Sequence, residues 1–106
     1  MLVVNRFRVP PGDADAFRND VEGAHALLAQ CAGYLHGHIG RNVDDPELWV
    51  LSTRWEHVGA YRRALSSYDV KVGAWQLLAR AIDEPGAYEV VEPGTDLNVA
   101  ATRSLG

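Results

Sequence analysis

The sequence predicts one α+β domain, an antiparallel sheet with helices on one face in the split βαββαβ arrangement. Three observations predict it. The apolar pattern alternates between the period of strands and the period of helices, in the order β-α-β-β-α-α-β. Two strand-like runs, residues 34–42 and 48–55, are separated by a turn sequence short enough for a hairpin. The 106 residues suit one domain and not two.

Residues 1–9, MLVVNRFRV, are β-branched and aromatic with near-alternation, so they read as the first strand. Strict alternation puts Asn5, Phe7 and Val9 on one face and Val4, Arg6 and Arg8 on the other. Pro10-Pro11-Gly12-Asp13 is punctuation, and Asp13 can cap a helix. Phe17, Val21, Ala24, Leu28 and Cys31 then recur at helical spacing, one apolar stripe of a helix that runs to about Ala32. His25 borders that stripe, and Gly33 ends the helix.

Residues 34–42 read as a second strand, weakened by Gly37 and Gly40, and Val43-Asp44-Asp45-Pro46 as a turn. LWVLSTRW is the third strand. Leu35, Gly37 and Ile39 are expected on the helix-covered face with Trp49, Leu51, Thr53 and Trp55. From His57 the pattern is helical through Val58, Tyr61 and Leu65. Ser66-Ser67 breaks it, with Ser67 as cap of a following helix whose stripe is Val72, Trp75, Leu78 and Ala79 and which ends near Ala81. Pro85-Gly86 turns into a fourth strand, AYEVVE. The domain is thus residues 1–92. Residues 93–106 sustain no period and are expected to be a mobile tail, or an arm that docks on a partner.

Composition excludes several function classes. Hydrophobic residues at 47% and charged residues at 23% describe a folded chain, not a disordered one. The net charge of −4 lacks the basic excess of a nucleic-acid binder, although a local basic patch can sit on an acidic protein. Cys31 is the single cysteine, which rules out an internal disulfide and fits a reducing compartment. The first apolar run stops at Asn5 and Arg6, too short for a secretory segment or a membrane span. The expectation is a cytoplasmic protein with neither a nucleic-acid nor a membrane partner.

No phosphate loop, Ser-His-Asp signature or CxxC is present. His36 and His38 put two imidazoles on one strand face, but no carboxylate or cysteine in the motif completes a metal set, and no metal is expected. The other reading of that face, which also holds Arg6, Arg8, Ser52 and Arg54, is a polar dimer interface. Its ion pairs, with Glu89 as one acid, would set register more than stability.

NRFRVPPG, AGYLHGHIGR, the strand-to-helix passage LWVLSTRWEHVGAYRRAL and the closing YEVVEPG resemble the antibiotic biosynthesis monooxygenase family over residues 1–93. The resemblance implies a ferredoxin-like fold that pairs through its sheets into a dimeric α/β barrel, with a pocket between each sheet and its helices. Some members of that family oxidise polycyclic phenols to quinones with O₂ and no cofactor; others degrade haem, and fold alone does not choose between them. Asn5 matches a pocket-facing asparagine on the first strand. Gly73 and Ala64 stand where haem-degrading relatives carry an iron-ligating histidine and a haem-distorting tryptophan, which argues against haem chemistry.

A cofactor-independent monooxygenase acting on a small or polycyclic phenol is therefore the leading expectation. Its site needs an apolar aromatic wall and a few polar anchors. Asn5 can donate its amide to a phenolate or to reduced oxygen, or else bond backbone as a structural residue. His25 can act as general base near neutrality, or be a half-exposed helix histidine. Tyr61 and Tyr68 can hydrogen-bond a substrate oxygen, or fill the core. Phe7, Val21, Leu51 and Leu65 would form the wall, and Trp49, Trp55 and Trp75 read as packing groups. A non-catalytic binding module for an apolar metabolite in the same pocket is the alternative.

Overall fold

Alternating apolar residues build three long strands, β1 (Leu2–Arg8), β2 (Tyr34–Arg41) and β3 (Leu48–Trp55). A computed structural model describes residues 1–97 of the chain. A 3₁₀ turn at Pro11–Asp13 leads into α1 (Ala14–Ala29). After β3 come α2 (Val58–Ser66), α3 (Tyr68–Gly73), α4 (Trp75–Leu78) and a short β4 (Ala87–Tyr88). The strands pair antiparallel in the order β2-β3-β1-β4. This is the ferredoxin-like α+β fold, with the apolar faces of the helices against one face of the sheet.

The register defines the buried face in rows. Asn5 lies opposite Leu51, which lies opposite Ile39; Val3 lies opposite Thr53, which lies opposite Gly37. Phe17, Val21, Ala24 and Leu28 of α1 are all buried on this face, as their spacing predicts. Phe17 packs against Phe7 and Trp49, with ring centroids 5.1 and 5.2 Å away.

Five sequence expectations change in the structure. Leu35 is not on the helix-covered face. The β2–β3 register shifts between Tyr34 and His36, so one residue is inserted, Tyr34 takes the inward place opposite Trp55, and Leu35 is 50% exposed. The helix after Ser67 is two short pieces kinked at Ala74, and its buried positions are Val70, Ala74 and Leu77, not Val72 and Trp75. Gly73 backs directly onto the Leu27 side chain, so α3 approaches α1 closely, and a Cβ at 73 would displace the Leu27 Cδ1 methyl. The fourth strand shrinks to two residues.

The caps also differ. Asp13 makes no side-chain cap bond, and the Ser67 hydroxyl donates back to the Ala64 carbonyl at 2.7 Å. Instead His57 Nδ1 accepts from the Ala60 N–H at 3.1 Å and caps α2. Lastly, the arginines of the outer sheet face find acids within the chain: Arg6 pairs with Glu84, Arg8 with Asp45 and Arg54 with Glu92. Part of the expected tail, residues 98–106, lies outside the described residues.

Candidate active site on the inner sheet face

Trp55 ends β3 and is fully buried, since a bulky amphipathic ring at a strand end can close the gap between sheet and helix. Its indole N–H donates to the buried Thr53 hydroxyl at 2.9 Å. Tyr34 meets Trp55 edge-on, with ring centroids 5.5 Å apart and planes at 87°. Tyr61 of α2 lies on its other side, also at 5.5 Å. Each tyrosine carries a polar partner, so an arc runs His25–Tyr34–Trp55–Tyr61–Asn5.

At one end of the arc, His25 Nε2 and the Tyr34 hydroxyl are 2.6 Å apart. Tyr34 O–H donates when the imidazole proton sits on Nδ1. The pair crosses directly over Gly37: a Cβ built there would lie 2.9 Å from His25 Nε2, 2.9 Å from the Tyr34 oxygen and 2.7 Å from the Ser52 carbonyl. A glycine inside a strand here makes room for two side chains. Burial lowers the His25 pKa from the ordinary 6.5, and positive charge on His38 lowers it further. Burial likewise raises that of the Tyr34 phenol. Both shifts favour the neutral pair.

At the other end, the Asn5 side chain adjoins the Tyr61 hydroxyl. Burial pushes the Tyr61 phenol up, and Asn5 pulls it partly back. Asn5 thus acts in the sense that favours the phenolate, as an amide N–H turned toward a phenol oxygen does. Asn5 Oδ1 faces the other way, 3.2 Å from where a Cβ on Gly86 would stand.

The structure therefore joins Asn5, His25 and Tyr61 through Trp55 and Tyr34. Asn5 on β1 and Gly37 beneath His25 on β2 are two strand spacings apart across the sheet and two residues apart along it, roughly 12 Å. Leu51 and Thr53 of β3 fill the sheet between them. Phe7, Val21 and Leu51 are buried core residues, and Leu65 is packed against that core. Tyr68 is not in the arc: it is 77% exposed, because Val70 is the inward residue of α3. Sequence reading missed Tyr34; the signal available was Gly37, a strand glycine that marks close approach of other groups. Among the described residues, no three His, Cys, Asp or Glu side chains group as a metal set, and His36 and His38 stand exposed with ring centroids 5.9 Å apart.

The lowered His25 pKa gives a stability test. The unfolded chain binds the His25 proton below about 6.5, while the folded chain resists it. Stability from this residue is complete above pH 6.5 and lost as pH falls from there through the folded-state value. Thermal unfolding is expected to show a lower Tm at pH 5.5 than at pH 7.5, and His25→Gln to flatten that slope. An unchanged slope in the variant would remove His25 as its source.

Similarity to known proteins agrees with this fold. SnoaB, a cofactor-independent oxygenase from Streptomyces nogalater, superposes with a TM-score of 0.72 at 26% identity, covering 86% of this chain and 92% of that one. A mutant of the same oxygenase matches at 27% identity and TM-score 0.65, over 76% and 82% of the two chains. A putative antibiotic biosynthesis monooxygenase from Deinococcus radiodurans shares the fold at 20% identity and TM-score 0.67, over 92% and 100%. No curated protein sequence matches. Among the described residues, no helix is long and apolar enough to cross a membrane. The family model described as antibiotic biosynthesis monooxygenase matches residues 1–76, and the chain belongs to that family.

Proposed function

We propose that this chain is a cofactor-independent monooxygenase that oxidises a phenol to a quinone with O₂. One observation carries the proposal: an amide, Asn5, and a phenol, Tyr61, adjoin on the inner face of the sheet, where Asn5 favours the ionised form of that phenol. The similarity to SnoaB supports it. A substrate phenol takes the place of Tyr61 at Asn5 when the Tyr61 ring swings aside. A hydroxyl at the other end of the same fused ring system gives its proton to His25, relayed through Tyr34, and the charge delocalises over the rings toward the oxygen at Asn5. The phenolate passes one electron to O₂, giving a phenoxyl radical and superoxide. These combine at a ring carbon as a hydroperoxide, which loses water to leave the quinone. One phenol and one O₂ become one quinone and one water, so no external reductant is consumed. Asn5 stabilises the negative charge as it moves. Trp55 and Leu51 form the wall, with Phe7 and Val21 behind them.

The spacing of roughly 12 Å between the two ends favours a fused polycyclic phenol, because a single ring cannot meet both. Oxygen-electrode assays with the chelator-treated protein are expected to show uptake with polycyclic phenols and little with single-ring phenols. Saturable binding of the same compounds without oxygen uptake would instead make the chain a binding module.

We also propose a homodimer joined through the outer sheet face. Leu2, Val4 and Val50 are only half-buried on that face, and a small domain gains stability by covering such surface. Light scattering at micromolar concentration is expected to give twice the 11.6 kDa chain mass; a monomer would refute the pairing.

A further inference from the structure

The outer surface of the helical layer carries a groove that the oxygenase reading leaves unused. Arg62, Leu65 and Ser66 of α2 face Lys71 of α3 and Trp75 of α4 across a space of about 580 Å³. That size is typical of small-molecule sites. Leu65 and the Trp75 indole supply apolar surface, and Trp75 is 53% exposed although such rings are normally mostly covered.

The charges select the ligand. The chain is acidic overall, and Arg6, Arg8, Arg18, Arg54 and Arg80 each pair with one of its own carboxylates. Arg62 and Lys71 have no carboxylate partner among the described residues. Two uncompensated cations beside an indole and a leucine are complementary to an anion with a flat apolar body.

We propose that this groove binds a small aromatic acid, ionised at neutral pH. Its ring lies against Trp75 and Leu65, and its anionic group is held by Arg62 and Lys71. The site is separate from the Asn5–Tyr61 arc and does not depend on the oxygenase reading. Tyr68, Val72 and Trp75 are also exposed apolar or aromatic residues of α3 and α4, spaced i, i+4, i+7 in sequence. An acidic peptide or a membrane surface could use those residues, but the concavity and limited volume of the groove favour a small molecule.

Calorimetric titration with 2-naphthoate, and with its neutral analogue 2-naphthamide, tests the proposal. Saturable naphthoate binding is expected, at least tenfold tighter than that of the amide. In the Arg62→Gln/Lys71→Gln double variant, naphthoate is expected to weaken at least tenfold while the amide is unchanged. Trp75→Ala should weaken both probes. All three side chains are exposed, and circular dichroism checks that the variants fold. Equal naphthoate affinity in the double variant overturns the proposal. So does a loss of affinity in Asn5→Ala but not in the groove variants, which would place the naphthoate in the arc. Cosedimentation with anionic phospholipid vesicles without naphthoate binding overturns it in favour of a membrane surface.

Discussion

Trp55→Ala is expected to cost about 3–5 kcal/mol of stability, the usual range for removing a large aromatic from a core. Trp55 is fully buried, touches Tyr34 and Tyr61 with its ring, and its N–H is satisfied by Thr53. Alanine leaves a void between the sheet and α2 that rigid strands cannot close. A domain of this size has only about 5–15 kcal/mol in total, so the variant would stand near the edge of folding at room temperature. Urea unfolding followed by far-ultraviolet circular dichroism measures the loss. Thr53→Val separates the two contributions: it keeps the ring and leaves the indole N–H buried without an acceptor, at about 1–3 kcal/mol. A loss below about 2 kcal/mol for Trp55→Ala, well under the core-aromatic range, would mean that α2 closes over the void and that Trp55 is not the pin between the layers.

The same tryptophan shows what a one-dimensional reading can and cannot reach. Its role between sheet and helix was legible, because a strand period ends at Trp55 and a helical period starts at Val58. Element order, the stripe of α1 and the inward face of β3 were legible for the same reason: each depends only on local period. Leu35 was misplaced because a bulge changes the alternation by one residue, and nothing in a strand's own pattern states where its partner shifts. Val72 and Trp75 were misplaced because the segment offers two apolar stripes at helical spacing, and the one that packs inward is Val70, Ala74 and Leu77. Which of the two packs inward depends on a tertiary neighbour, since Gly73 beside that stripe backs onto Leu27 of α1. Asn5 and His25 could be singled out as polar residues on or beside apolar faces. Their partners could not, since Tyr61 and Tyr34 meet them only once the sheet order and the bulge are set.

Asn5→Ala is expected to lower kcat/KM for phenol-dependent oxygen uptake by about 10²–10³-fold, the usual effect of removing one donor to a developing oxyanion. The fold should persist, because Asn5 is only half-buried and alanine sits easily in β1 beside Leu51. A second readout does not depend on turnover. Asn5 lowers the Tyr61 pKa, against the larger upward push of burial. Removing the donor leaves burial unopposed, so ultraviolet titration of tyrosinate should show one phenol moving to higher pH, and Tyr61→Phe should delete that same component. Asn5→Asp sharpens the contrast: a carboxylate cannot donate and repels the phenolate, so Tyr61 should move further up and activity should not recover. The relation between Tyr61 and substrate also has a direction. If the substrate phenol must displace Tyr61 from the amide, Tyr61→Phe removes the competitor, and KM should fall with kcat retained. A fall in kcat at unchanged KM would instead make the Tyr61 hydroxyl part of the chemistry. Full oxygen uptake in Asn5→Ala would detach the amide from the reaction and leave the His25–Tyr34 end as the place where the phenol loses its proton.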